Sequence, residues 1–215
     1  AVAFDYAASM VTATKKSLTS KGYSADLVWR DDMENISTIK KGQHDCIVAL
    51  GSIYYARNFE KAFESIVDLL PPGGHFIFSL RNELFSMFSM NNYTCDFYDN
   101  VLLKELEVFK SLNGSVKQYI KDRMNLNSSD AIEKNIDQLS VHSFMHNPLT
   151  IQADLLSPND LDLSGIDFYH YHAAPPCFES TDTKAYRKAS CKLELTQDWR
   201  GYFMASCFIV HAVKR

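Results

Sequence analysis

Over the first 80 residues, short apolar runs closed by turn formers alternate with amphipathic stretches. Ala1-Val2-Ala3-Phe4-Asp5 predicts a short buried strand that ends on an acid, and Ser9 to Ser20 predicts a helix stopped at Gly22. Asp26 to Trp29 predicts a second strand, followed by the acidic, turn-prone Asp31-Asp32-Met33-Glu34-Asn35. Cys46 to Leu50 predicts a third, closed by Gly51-Ser52, and its near-continuous apolar character suits a parallel strand covered on both faces. Phe59, Ala62, Phe63, Ile66, Val67 and Leu70 then follow helical spacing, with Glu60, Lys61, Glu64 and Asp68 on the other face. Pro71-Pro72-Gly73-Gly74 ends that helix and turns directly into the strand His75 to Leu80. Strands and helices alternating through short Gly/Pro turns predict an α/β fold with a doubly wound, mostly parallel sheet.

The alternation stops at Arg81. Up to Leu156 the pattern is helical and aromatic-rich, with helices expected over Asn82 to Met90, Asp96 to Leu112, Val116 to Met124 and Asp130 to Leu139. So long a stretch between two strands reads as an inserted cap. Ser157-Pro158-Asn159-Asp160 then introduces a strand over Ile166 to His172, and Tyr202 to Val213 predicts a last strand. The expected units are residues 1–80 as core, 81–156 as a cap over the substrate, and 157–215 as strands completing the core.

Composition narrows the picture little. The 215 residues carry 22 Lys+Arg against 26 Asp+Glu, a net charge of −4, with no electrostatic footprint for nucleic acid or an anionic membrane. No apolar run reaches the roughly 18 residues that span a bilayer. Five cysteines, widely spaced and without a CxxC pair, read as free thiols of a reducing cytoplasm rather than a zinc site.

Four stretches in order resemble the class I methyltransferases that use S-adenosylmethionine (SAM): VAFDYAASM, VWRDDMENI, HDCIVALGSIYYARN and LLPPGGHFIFS. The resemblance covers Ala1 to about Leu80 and implies a site at the carboxyl ends of the strands, where open α/β sheets bind ligands. It implies that Asp5, followed by Tyr6, reads the SAM ribose; a helix N-cap is the alternative role for Asp5. It further implies that Asp32 and Met33, with Asp31 as an alternative, lie beside the adenine, and that Leu50, Gly51 and Ser52 line the methionine end. The family also opens on a strand and a glycine-rich loop that hold the amino-acid end of SAM, and these residues contain neither. An upstream segment or a second chain is therefore expected to fill a slot between Ala1–Asp5 and Cys46–Leu50.

Methyl transfer from a sulfonium needs proximity, orientation and water exclusion, and a hydroxyl acceptor also benefits from a general base such as histidine. Among the seven histidines, strand polarity puts His44, His75 and His211 at the end away from the ligand. His170 and His172, two apart on one strand face, and His142 and His146, four apart beside the cap, are the candidate bases. No metal is expected. Asn91-Asn92-Tyr93 is a candidate substrate loop, and Asp198-Trp199-Arg200-Gly201 is expected to bury Trp199 beside a charge or to form a structural turn. The expectation is a cytoplasmic SAM-dependent methyltransferase acting on a small polar acceptor, a sugar or sugar-linked metabolite, by O- or N-methylation. The alternatives are a non-catalytic methyltransferase-like partner subunit and another nucleotide-binding α/β enzyme.

Overall fold

In a computed structural model of the chain, residues 1–103, 113–124 and 144–215 are described. Strands β1 (Ala3–Asp5) and β2 (Val28–Arg30) pair in parallel, Phe4 opposite Trp29, as a small two-stranded sheet. Helix α1 (Ala8–Ser20) connects them and turns out through Lys21 and Gly22, whose φ of 81° only glycine adopts without strain.

The larger sheet runs β3 (Cys46–Ala49), β4 (His75–Asn82), β7 (Ala205–Lys214), β6 (Leu161–Tyr171), with β5 (Met145–His146) paired to the end of β4. β3 and β5 lie parallel to β4, whereas β7 is antiparallel to both β4 and β6. The sheet is therefore mixed rather than mostly parallel, because its two longest pairings are the antiparallel ones. β1 and β3 make no backbone pairing with each other among the described residues.

One face of this sheet carries the core. Phe76, Phe78 and Leu80 of β4 join Phe208, Val210 and Ala212 of β7 against helix α2 (Phe59–Val67). The buried stripe of α2 is Phe59, Ala62, Phe63, Ile66 and Val67, and Asn58 caps its start by accepting the Lys61 N–H at 3.0 Å. Each fully buried Phe contributes about 1.5–3 kcal/mol through its apolar area. One buried amide fastens two strands of this sheet together. The Asn82 amide donates to the carbonyls of Gly201 at 3.3 Å, Tyr202 at 2.9 Å and Ala205 at 2.8 Å, fastening the end of β4 to the start of β7.

Beyond β4 lie α3 (Phe85–Ser89), α4 (Asn92–Phe97), a π-helical turn (Tyr98–Leu102) and α5 (Asn113–Met124). The helices expected over 96–112 and 130–139 fall partly or wholly outside the described residues. Helix α6 (Thr183–Glu194), begun by the Asp182 carboxylate on the Ala185 N–H, was not expected; α7 (Gly201–Met204) leads into β7. Trp199 is 71% exposed, which corrects the expected buried pairing: Asp198 and Arg200 bond each other at 2.7 Å in a turn and leave the indole outside.

Candidate functional site

Strands β1 and β2, parallel to each other, and β3, parallel to β4, end next to the residues that the sequence points to. Asp5 closes β1, and one of its carboxylate oxygens accepts the Ala7 N–H at 2.7 Å. That bond starts the turn into α1 without making Asp5 the helix cap, which is Ala7. The second oxygen makes no hydrogen bond to a described residue, so the carboxylate keeps lone pairs for a diol.

The acidic turn after β2 divides its work. Asp31 accepts from the backbone N–H groups of Asp32, Ser37 and Thr38 and from the Thr38 hydroxyl. Burial works to raise its pKa, but those donors win and hold it below the ordinary carboxylate value. Asp31 is thus committed to its own loop. Asp32 accepts one N–H, from Glu34 at 3.0 Å, and Met33 packs half-buried against the core.

Glu34 ties this turn to the larger sheet. Its carboxylate accepts the Arg57 N–H at 2.7 Å and the Asn58 N–H at 3.2 Å. Tyr6 adds a second tie, its hydroxyl accepting from Arg57 at 3.0 Å and its ring lying 5.5 Å and 5.6 Å from the guanidinium carbons of Arg30 and Arg57.

At the end of β3, Leu50 is 51% exposed, and Gly51 takes φ 66° while donating its N–H to the buried Ser79 hydroxyl at 2.7 Å. Ser52 precedes the turn Ile53–Tyr55. The left-handed Gly51 is what lets the chain leave β3 sharply at the strand's carboxyl end.

A family model described as a methyltransferase domain matches residues 1–78. No protein of curated function matches the sequence. Solved structures match nearly the whole chain. One is a putative methyltransferase from Haloferax volcanii, solved in complex with the Trm112 methyltransferase activator (TM-score 0.53, 12% identity, 98% of this chain and 70% of that one). Others are a putative methyltransferase from Bacillus halodurans (TM-score 0.53, 12% identity, 99% and 82%) and a SAM-dependent methyltransferase from Mesorhizobium loti (TM-score 0.52, 12% identity, 98% and 78%). The fold is that of the class I SAM-dependent methyltransferases.

In this methyltransferase fold the histidines separate by end. His75 Nδ1 lies 2.9 Å from His211 Nε2 where β4 begins, and His44 lies just before β3. His170 and His172 lie at the opposite end, at and just past the end of β6. His170 is exposed with φ 55°, a strained left-handed backbone, and its carbonyl accepts from the Ser206 hydroxyl at 3.3 Å. His172 is half-buried between Phe85 (ring centres 4.7 Å apart) and Tyr186. The Tyr186 hydroxyl donates its proton to the Ala174 carbonyl at 2.8 Å, so at 3.0 Å it accepts from His172 Nδ1–H. That pairing leaves His172 Nε2 as the basic nitrogen. Burial lowers the His172 pKa, with His170 adding to the effect and Glu179 opposing it.

His146, on β5, is not beside these two. It packs on Phe59 at 4.6 Å and lines a cavity of about 340 Å³ with Glu60, Glu64 and Asp154. Burial pulls its pKa down to about 4 against the attraction of Glu60 and Asp154. His142 lies outside the described residues. The Asn91 side chain is occupied in capping α4, reciprocated by Thr94, and Tyr93 is 53% exposed. No three His, Cys, Asp or Glu among the described residues are grouped to hold a metal.

Sequence reasoning missed Tyr186, Tyr54 and Arg81. Tyr186 could have been found from the Asp182 cap and the helix-forming run that follows it. Arg81 stands directly after the fourth predicted strand and Tyr54 four residues after the third, where ligand-facing residues are expected.

Proposed function

We propose that the chain is a SAM-dependent methyltransferase for a small polar acceptor, a sugar or sugar-linked metabolite, working in the cytoplasm. The observation that carries the reading is Asp5, a carboxylate with one oxygen unbonded by any described residue, at the carboxyl end of a parallel strand of this fold. SAM supplies an activated methyl group when bound. Asp5 would accept from the ribose hydroxyls, Asp32 and Met33 would flank the adenine, and Tyr6 would close over it from the Arg57 side. Leu50, Gly51 and Ser52 would line the methionine end. His172 would take the acceptor's proton at Nε2 while Tyr186 fixes its Nδ1–H. Helices of the segment 81–156, which bring Phe85 onto His172, would exclude water from the acceptor. The five thiols are all free, in keeping with a reducing compartment.

Calorimetric titration with SAM tests the reading. Asp5→Ala should weaken binding by about 1.5–3 kcal/mol, the range for a hydrogen bond to a charged group. Unchanged affinity removes Asp5 from the site.

A second reading, a non-catalytic partner subunit, draws on the edges of β1 and β3 that pair with no strand among the described residues, and on the Haloferax structure solved with its activator. A strand inserted there by another chain would satisfy backbone groups on both edges. SAM binding by this chain only when a partner is added would favour it.

A further inference from the structure

The carboxyl end of the larger sheet holds a cation with no counter-ion among the described residues. Arg81 sits next to last in β4, directly across from Cys207 of β7, which in turn faces Tyr169 of β6. These three share the sheet face opposite the Leu80–Phe208–Phe168 core row, since side chains alternate along each strand. The Arg81 guanidinium carbon lies 5.7 Å from the centre of the Tyr54 ring, and one terminal nitrogen reaches the Tyr55 hydroxyl at 3.5 Å. Its Nε is shielded from solvent and has no partner among the described residues.

No carboxylate among the described residues pairs with this guanidinium. The ion pairs of Arg187, Arg200 and Arg215 are elsewhere, and the nearby Glu83 is influenced by Asp154 instead. The groups around Arg81 are phenols and a thiol, all neutral near pH 7. Burial raises the pKa of Tyr54, Tyr169 and Cys207 above their ordinary values, so none of them ionises to balance the charge. A half-buried guanidinium is costly unless something anionic meets it. Because β4 and β6 both run antiparallel to β7, Arg81 and the end of β6 that leads to His172 lie at the same end of this sheet, so Arg81 stands on the side of the proposed base.

Resting on the methyltransferase reading above, we propose that Arg81, with the Tyr55 hydroxyl, forms an anion subsite and that the methyl acceptor carries a carboxylate. A planar guanidinium pairs a carboxylate through two parallel N–H bonds, and the Tyr54 and Tyr55 rings (4.4 Å between centres) give the apolar wall beside it. One positive charge among neutral hydroxyls matches a monoanion. A phosphate dianion would leave a charge unmatched.

The test follows the Arg81 Nε–H resonance by NMR in the full chain, identified by its loss in Arg81→Lys. Titration with benzoate should shift it saturably and at least tenfold more tightly than neutral benzamide or inorganic phosphate. Arg81→Gln should weaken benzoate at least tenfold, Arg81→Lys by less, and SAM affinity by calorimetry should change less than twofold in both. Equal response to benzoate and benzamide overturns the proposal, as does tighter binding of phosphate. A matching loss of SAM affinity in Arg81→Gln also overturns it, because the anion would then be the carboxylate of SAM itself. Wild-type protein that binds benzoate through Arg81 but never SAM refutes the methyltransferase reading and leaves the carboxylate site standing.

Discussion

The two sheets of this protein are built to different standards of solidity. The larger one buries a continuous core in which Phe63, Phe76, Phe78, Leu80, Phe208 and Val210 are all at most 1% exposed. The β1–β2 unit with α1 buries only Val11 and Val28, and most of α1 faces solvent. It is held to the rest by Glu34 on the N–H groups of Arg57 and Asn58, by Tyr6 on Arg57, and by Met33 and Ile36 against the core. The proposed ribose and adenine groups thus sit on the loosely held unit, and the proposed base and anion subsite on the solid one. Low local stability is where ligand-ordered segments are drawn from. A cofactor that bridged the two units would lend the smaller one the order its own packing does not supply.

The largest expected effect tests the solid side. Phe63 touches the rings of Phe59, Phe76 and Phe78 at 5.3–5.7 Å between centres. Phe63→Ala should cost about 3–5 kcal/mol in urea unfolding followed by circular dichroism. Val28→Ala, in the small sheet, should cost distinctly less. Equal losses would mean that the two units share one core after all.

Next in size is a pH effect at His146. Its folded pKa of about 4 lies below the ordinary 6.5, so between those values the unfolded chain binds the proton and the folded chain does not. Stability conferred by the neutral, buried ring is therefore complete above pH 6.5 and is lost as pH falls toward 4, by up to about 3 kcal/mol. Urea midpoints at pH 6.5 and 4.5 should fall further for wild type than for His146→Gln. Parallel losses would show that the surrounding carboxylates, not His146, set the acid limit.

A smaller loss is expected where the strand ends are joined. A Cβ on Gly201 would lie 2.5 Å from the Phe168 ring and from the Tyr171 hydroxyl. Gly201→Ala should cost about 1–3 kcal/mol by overpacking, read as a lower melting temperature. An unchanged melting temperature would show that the Asn82 clasp has room to give.

Much of the solid unit was legible from residue order. The α2 stripe, the Pro71–Gly74 turn and the parallel β3–β4 pair follow from residue order, but the cover expected on both faces of β3 is not there: Cys46 and Val48 are exposed, and so is Leu50 after them. The extension of β6 back to Leu161 was not, since Asp162, Leu163 and Ser164 are exposed on an edge strand and show no clean alternation. Of the candidate site, the acids were legible through motif order, but their division of labour was not. Asp31 and Asp32 are equivalent in sequence, and only the Thr38 hydroxyl and the backbone N–H groups that fold onto Asp31 tell them apart. Arg81 was passed over because a charge at a strand's end reads as solvated until its neighbours are known to be neutral.

The smallest effect bears most directly on the contrast between the units. Glu34 is the polar pin between them, and its carboxylate accepts two backbone N–H groups at the entrance to α2. Glu34→Ala leaves those donors to water at an exposed site, so the global cost should be only about 1 kcal/mol. Its local consequence should be larger than its global one. With the pin gone, Tyr6 on Arg57 and the half-buried Met33 and Ile36 remain to hold the small sheet. Amide exchange in β1 and β2 should therefore accelerate severalfold, while exchange in β4 and β7 follows only the global change. Added SAM should restore protection in the small sheet if the cofactor bridges the units. Uniform acceleration across both sheets would show instead that they open together, and the contrast in burial would then carry no dynamic meaning.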